Sequence, residues 1–226
     1  MRRVRISLSE TALGTYVARQ VEHAFPDGAA GTADAIRQVL PATLERVEHC
    51  FTHVSNKYFF DGVQAVFDHL HGDQYAMFLY LLVNSAYRAG ADRALCGKLY
   101  LLNKALHGID AYFEVELPSI FLFVHPLATV LGRGRYSDYL VVYQRCGVGS
   151  NHDVYPQLGE YLTLRPGAAV LGRSRIGRNC TVATESLVLD RDLPDDTVYI
   201  GDPRQFTTQI RQDVYDAWRG ANRTKR

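Results

Sequence analysis

Apolar positions along this chain keep two different rhythms, and the change between them divides it. Up to about residue 110 the spacing is helical. Ser9 precedes Leu13, Val17 and Val21 at intervals of four, which predicts a helix with a serine N-cap that closes before Pro26. Ile36, Val39, Leu40, Leu44 and Val47 predict a second helix, kinked or broken at Pro41, where the ring removes an N–H and crowds the preceding turn. The stretches 73–90 and 91–108 each end on a glycine suited to the residue after a helix, completing an all-helical region whose members pack on one another.

From Val124 the period becomes six. Val124, Val130, Tyr136, Val142 and Val148 keep it, and so do Leu158, Leu164, Val170, Ile176, Val182 and Val188. Between Val148 and Leu158 the interval is ten, an insertion of four. A small residue often follows four positions later, as at Gly134, Cys146, Ala168, Ser174, Cys180 and Ser186. Neither a helix nor a simple strand produces this spacing, whereas hexapeptide repetition marks a parallel β-helix. The expected solid is a three-sided prism with each large aliphatic turned inward and a small residue near each corner. Leu131-Gly132, Leu171-Gly172 and Ile176-Gly177 are expected to accommodate the bends. Beyond it, Phe206, Ile210, Val214 and Trp218 lie four apart and predict an amphipathic helix over about Pro203–Arg219, capped by Asp202, that covers an open edge or packs on a neighbouring subunit. The fold class is therefore α+β, with a helical domain at 1–115, a β-helix at 116–202, and a C-terminal helix and tail at 203–226.

Composition narrows the chemistry. With 25 Lys and Arg against 24 Asp and Glu the formal charge is +1, so no electrostatic pull toward nucleic acid or an anionic membrane is expected. The longest apolar run, at 75–83, is too short to span a bilayer, and the basic start lacks the apolar core of a signal peptide. Cys50, Cys96, Cys146 and Cys180 are scattered, which points to reduced thiols in a cytoplasmic protein.

In their order the parts resemble the hexapeptide-repeat acyltransferases, and within them serine O-acetyltransferases most closely. The likeness runs from about residue 75 to 206: a helical region, "AYRAG" and "LNKALHGID", then "VHPLATVLGRG", "RPGAAVLGRSRIG" and a closing "IGDPR". The resemblance implies a left-handed β-helix, a homotrimer or hexamer, and acetyl-CoA as co-substrate in a groove between subunits. It places one catalytic histidine in a Leu-Asp-His stretch and another just before a proline. The matching positions here hold Tyr139, after Asp138, and Tyr155, before Pro156, so both expected histidines are tyrosine. The intervening hexads are also shortened.

The insertion is the leading site candidate, because a regular β-helix needs no extra residues there and loops on a rigid repeat are where function sits. Acyl transfer from a thioester needs a base for the acceptor's proton. His152 is expected to supply it, with Asp153 orienting or holding the acceptor and Tyr155 hydrogen-bonding the acceptor or oxyanion. The alternative is that His152 merely belongs to a polar turn. By resemblance, Gly167, Ala168 and Gly172 lie along the pantetheine, with backbone amides approaching it at the first two, and Arg173 and Arg204 meet the phosphates. These glycines also suit prism corners. His125 matches a His-Pro that is more often structural in the family. His49 and His53 stand one helical turn apart but lack a third ligand nearby in sequence, so no metal is expected. Two functions remain open: acetyl transfer to the hydroxyl or amine of a small polar acceptor, serine by default or an amino-sugar, and a catalytically inactive scaffold that keeps the assembly and binds a partner.

Overall fold

The structure is a computed structural model that describes residues 4–211 and 217–220. Four helices come first: α1 (Glu10–Ala24), α2 (Thr32–Thr52), α3 (Gly72–Arg88) and α4 (Arg93–His107). The Ser9 hydroxyl accepts from the Ala12 N–H at 3.2 Å and so starts α1 as its cap. α2 runs through Pro41 without a break. An internal proline costs about 3 kcal/mol, and the burial of Val39, Leu40, Leu44 and Val47 on either side of it offsets that cost.

α3 is buried on every side from Gln74 to Ala86 and connects the two regions. Tyr80 donates its hydroxyl to the Val115 carbonyl at 2.7 Å and accepts from the Leu117 N–H at 2.8 Å. Asn84 donates to the Phe113 carbonyl, and the Cys50 thiol to that of Phe121. The helical and solenoid cores are in consequence one continuous cluster.

The C-terminal half is a three-sided parallel β-solenoid. One face stacks 121–123, 140–142, 163–164, 181–182 and 197–201; a second stacks 109–111, 129–131, 147–149, 169–171 and 187–189; the third pairs 157–158 with 175–176. Side chains in register form inward columns: Phe123, Val142, Leu164, Val182 and Tyr199 on the first face, Leu131, Val148, Val170 and Val188 on the second. All nine are buried. The first coil departs from the expected register. Phe123 and Leu131 point inward where Val124 and Val130 were expected, and Val130 is 50% exposed. Leu131 and Val148 are seventeen apart rather than eighteen, and a one-residue slip turns every alternate side chain to the opposite face.

Most bends use a residue in the left-handed region. Arg145, Gly167 and Glu185 line one corner, Tyr139, Tyr161, Asn179 and Asp196 another, and Gly172 and Asp190 the third. Gly132 and Gly177 do not adopt it, contrary to expectation. Gly177 serves close approach instead, since a Cβ there would lie 2.6 Å from the Asp195 nitrogen.

The expected C-terminal helix does not form over Phe206–Ile210, which is a strand antiparallel to Thr197–Gly201. Asp202 accepts from the Arg204 and Gln205 N–H groups and so shapes the turn instead of capping a helix. The last strand's open edge supplies backbone partners that outweigh a four-residue apolar spacing. Phe206 stacks on Tyr199 at 5.2 Å and Arg191 lies over Phe206, closing the end of the prism. Val214 lies outside the described residues. Trp218 is buried, bridges to Val54, and ties the chain's end back to α2.

Leu164 sits mid-column with no exposure, so Leu164→Ala is expected to destabilise the protein by about 2–5 kcal/mol, measured as a lowered urea midpoint at unchanged slope.

Candidate functional site

The four-residue insertion is a tight hairpin at one prism corner. The N–H and C=O of Asn151 pair with those of Val154 at 3.1 and 3.0 Å, and the two central residues, His152 (φ 47°) and Asp153 (φ 59°), are both left-handed. That is the two-residue turn that suits a hairpin's twist. Residues 152–155 are exposed.

Asp190, two coils further on, anchors this hairpin. Its Oδ2 accepts from Asn151 Nδ2 at 2.6 Å and its Oδ1 from the Arg173 N–H at 2.7 Å. Gly172 (φ 69°) sits beneath, where a Cβ would collide with the Asp190 carboxylate and crowd Asn151. The Arg173 N–H bond, then the Asn151 bond, with smaller help from the charges of Arg173 and His152, hold the Asp190 carboxyl below its ordinary range. His152, Asp153, Gly172 and Arg173 are thereby gathered at one corner, with Tyr155 just beyond.

The remaining expected residues lie elsewhere. Gly167 is at the neighbouring corner, beside the Arg145–Glu185 ion pair. Its N–H donates to Gln144 and that of Ala168 to Arg165, so both amides are already used within the solenoid, and Ala168 is wholly buried. Arg204 stands exposed on the terminal hairpin. His125 is also exposed, its backbone N–H donating to Asp73, whose carboxyl burial pushes up.

A second constellation, not anticipated from the sequence, occupies the corner lined by Tyr139, Tyr161, Asn179 and Asp196. Tyr139 and Tyr161 stack flat, centroids 4.2 Å apart and planes 5° from parallel. Trp218 meets Tyr139 edge-on at 5.5 Å, and His53, the residue that ends α2, does so at 6.0 Å. Asp138 accepts from the Ile120 N–H at 2.9 Å. Two adjoining clefts of about 340 Å³ each run along α2 beside this corner, one reaching Glu45, Glu48, His49 and His53, the other Glu45, His49 and Ser119. The i, i+4 spacing of the two histidines was the visible signal. Their proximity to Tyr139 depends on how α2 packs. Among the described residues no group of three or more His, Cys, Asp or Glu could hold a metal ion, and no helix is long and apolar enough to cross a membrane.

No protein-family model matches the chain, and no curated protein matches it in sequence. Solved structures do. A serine acetyltransferase from Neisseria gonorrhoeae superposes with a TM-score of 0.68 at 16% identity, over 89% of this chain and 79% of that one. The fold is shared with serine acetyltransferases. The enzyme from Brucella abortus gives 0.66 at 19% identity, over 89% and 83%. A serine acetyltransferase in complex with CoA gives 0.65 at 16%, over 88% and 83%. The helical region followed by a hexapeptide β-helix is therefore common to these proteins and this chain.

Because the Asp190 carboxyl is held below its ordinary 3.8, its contribution is complete above that value and lost as pH falls through the lower folded value. Asp190→Asn is expected to melt below the wild type at pH 7, with the gap closing toward pH 2.5 in paired thermal scans.

Proposed function

We propose that this protein is a cytoplasmic acetyltransferase that moves an acetyl group from acetyl-CoA to the hydroxyl or amine of a small polar acceptor. The observation that carries this reading is the fold shared with serine acetyltransferases across nearly nine-tenths of the chain, one of them solved with CoA. Fold alone does not assign chemistry, so the reading also draws on the site. A rigid solenoid carries a polar hairpin out of one corner and a histidine-lined cleft beside another, and acyl transfer needs a positioned histidine near a small polar pocket.

In this reading the acceptor's oxygen or nitrogen attacks the thioester carbonyl directly. A histidine takes the acceptor's proton, the carbon–sulfur bond breaks, and the thiolate leaves as CoA thiol. The corner that gathers Gly172 and Arg173 faces the donor, with Arg173 and Arg204 supplying positive charge for its phosphates. Gly167 and Ala168 shape the adjoining wall. His152, Asp153 and Tyr155 line the exposed hairpin above it. Serine is the default acceptor, and an amino-sugar fits the same chemistry. The working assembly is a homotrimer or a pair of trimers, acting without nucleic acid or membrane.

One observation favours a second reading, a catalytically inactive scaffold of the same fold. Tyr139 and Tyr155 occupy positions at which the resemblance expects histidines, and tyrosine, with an ordinary pKa near 10, is a poor base at neutral pH.

Free CoA release from acetyl-CoA, measured with serine, other amino acids and amino-sugars, separates the two. Acceptor-dependent release is expected. Acetyl-CoA binding without release by any acceptor supports the scaffold.

A further inference from the structure

We propose that the third face of the prism binds the acceptor by a phosphate group, held by Arg133 and Arg135, so that the acceptor is a phosphorylated small molecule such as an amino-sugar phosphate. This rests on the acetyltransferase reading and adds the acceptor's class and the residues that select it.

The register of that face decides which side chains share it. Arg135 bridges to Gln157, and Gln157 pairs with Arg175, so these three stand in one column on successive coils. Two positions earlier in each strand come Arg133, Tyr155 and Arg173, which alternation puts on the same outward side. All six are exposed, while Pro156 and Ser174 between them are buried. Rungs of a sheet lie about 4.8 Å apart, so the two arginine pairs stand about 10 Å from each other. A phenol and an amide lie between them.

No ion pair neutralises these arginines. Among the described residues, the side chains of Arg133, Arg135, Arg173 and Arg175 make no ion pair and no hydrogen bond. Arginines elsewhere on the surface do: Arg93 pairs with Glu114, Arg145 with Glu185 and Arg178 with Glu160. The acids of this face stand one coil beyond the second pair. Ile176 bridges to Leu193, which sets Asp192 beside Arg175. Asp190 and Asp192 there accept from the Arg173 and Arg175 N–H groups. Asp153 is on the hairpin. The rung of Tyr155 and Gln157 therefore has arginines on both sides, in a chain whose formal charge is only +1.

This arrangement restricts the acceptor. A guanidinium group binds phosphate through two parallel N–H bonds. The double charge of a phosphate monoester matches a pair of arginines, which the single charge of a carboxylate does not. Arg173 and Arg175 border the corner assigned to the donor. Arg133 and Arg135, two rungs away, are left for the acceptor. Gln157 and Tyr155 lie between the pairs, placed to hydrogen-bond a sugar's hydroxyls. An acceptor held in this way lies beside the exposed hairpin and presents its amine or hydroxyl toward the donor's corner. The phosphate anchors the molecule and stays intact through the transfer.

The test titrates the intact protein with glucosamine 6-phosphate and with glucosamine, which differ only in the phosphate, and repeats both with the Arg133→Gln/Arg135→Gln double variant. Glucosamine 6-phosphate is expected to bind at least tenfold more tightly than glucosamine, with the advantage shrinking as salt is raised. Both arginines are exposed. The double variant is expected to lose at least tenfold in affinity for the phosphorylated sugar, with unchanged CoA affinity and melting temperature. In the CoA-release assay that loss is expected in KM rather than kcat, because the anchor is the same in the ground and transition states. Equal affinity for the two sugars, or undiminished binding by the double variant, overturns the proposal. So does loss of the sugar phosphate from protein saturated with CoA, which makes this face the donor's own phosphate site. Faster CoA release with serine than with glucosamine 6-phosphate overturns the proposal and leaves the acetyltransferase reading standing. Arginine-dependent binding of the sugar phosphate without CoA release by any acceptor overturns that reading and leaves the phosphate site standing.

Discussion

The rest of the structure depends on the bond made at each prism corner. A left-handed residue turns the chain and donates its N–H to a carbonyl one coil earlier: Tyr161 to Asp138, Asn179 to Glu160, Asp196 to Arg178, Gly167 to Gln144 and Glu185 to Pro166. Left-handed geometry carries a cost of order 1 kcal/mol for a residue with a Cβ, and most of these corners use one. The stack repeats its coil so regularly because each corner must find the matching carbonyl beneath it. Leu158 to Ile176 and Leu164 to Val182 are both eighteen residues apart for that reason.

This constraint also decides where extra residues fit. Four inserted within a strand would move the inward column, whereas four placed at a corner leave the ladder on both sides intact. The hairpin at Asn151–Val154 takes the second course, pairing its own backbone and tying itself to Asp190 two coils on. The same logic governs the thiols. Cys146 and Cys180 occupy the narrow inward positions beside corners, and burial pushes the Cys146 thiol up to about 11. They are packing residues rather than nucleophiles.

The regions meet without an independent boundary. α3 bonds the segment that enters the solenoid, the end of α2 flanks the Tyr139–Tyr161 corner, and the chain's end returns to α2 through Trp218 and the Arg219–Thr52 bond. The contact of the His53 ring with Tyr139 joins the end of α2 to this corner, a relation that belongs to the whole chain rather than to the helices or the prism alone.

The sequence by itself determined the periods, and with them the helices, the prism, the inward columns from Val142 onward and the corner at which the loop emerges, because a period reports which positions face away from water. It also located His152, Gly172 and Arg173, which share a corner through coils of regular length. Three features were decided only in three dimensions. The first coil's register was set by Phe123 and Leu131 joining the continuous core. The terminal segment became a strand because an open edge was waiting to pair. His53 came to face Tyr139 because of helix packing, a relation between distant residues that no local spacing encodes.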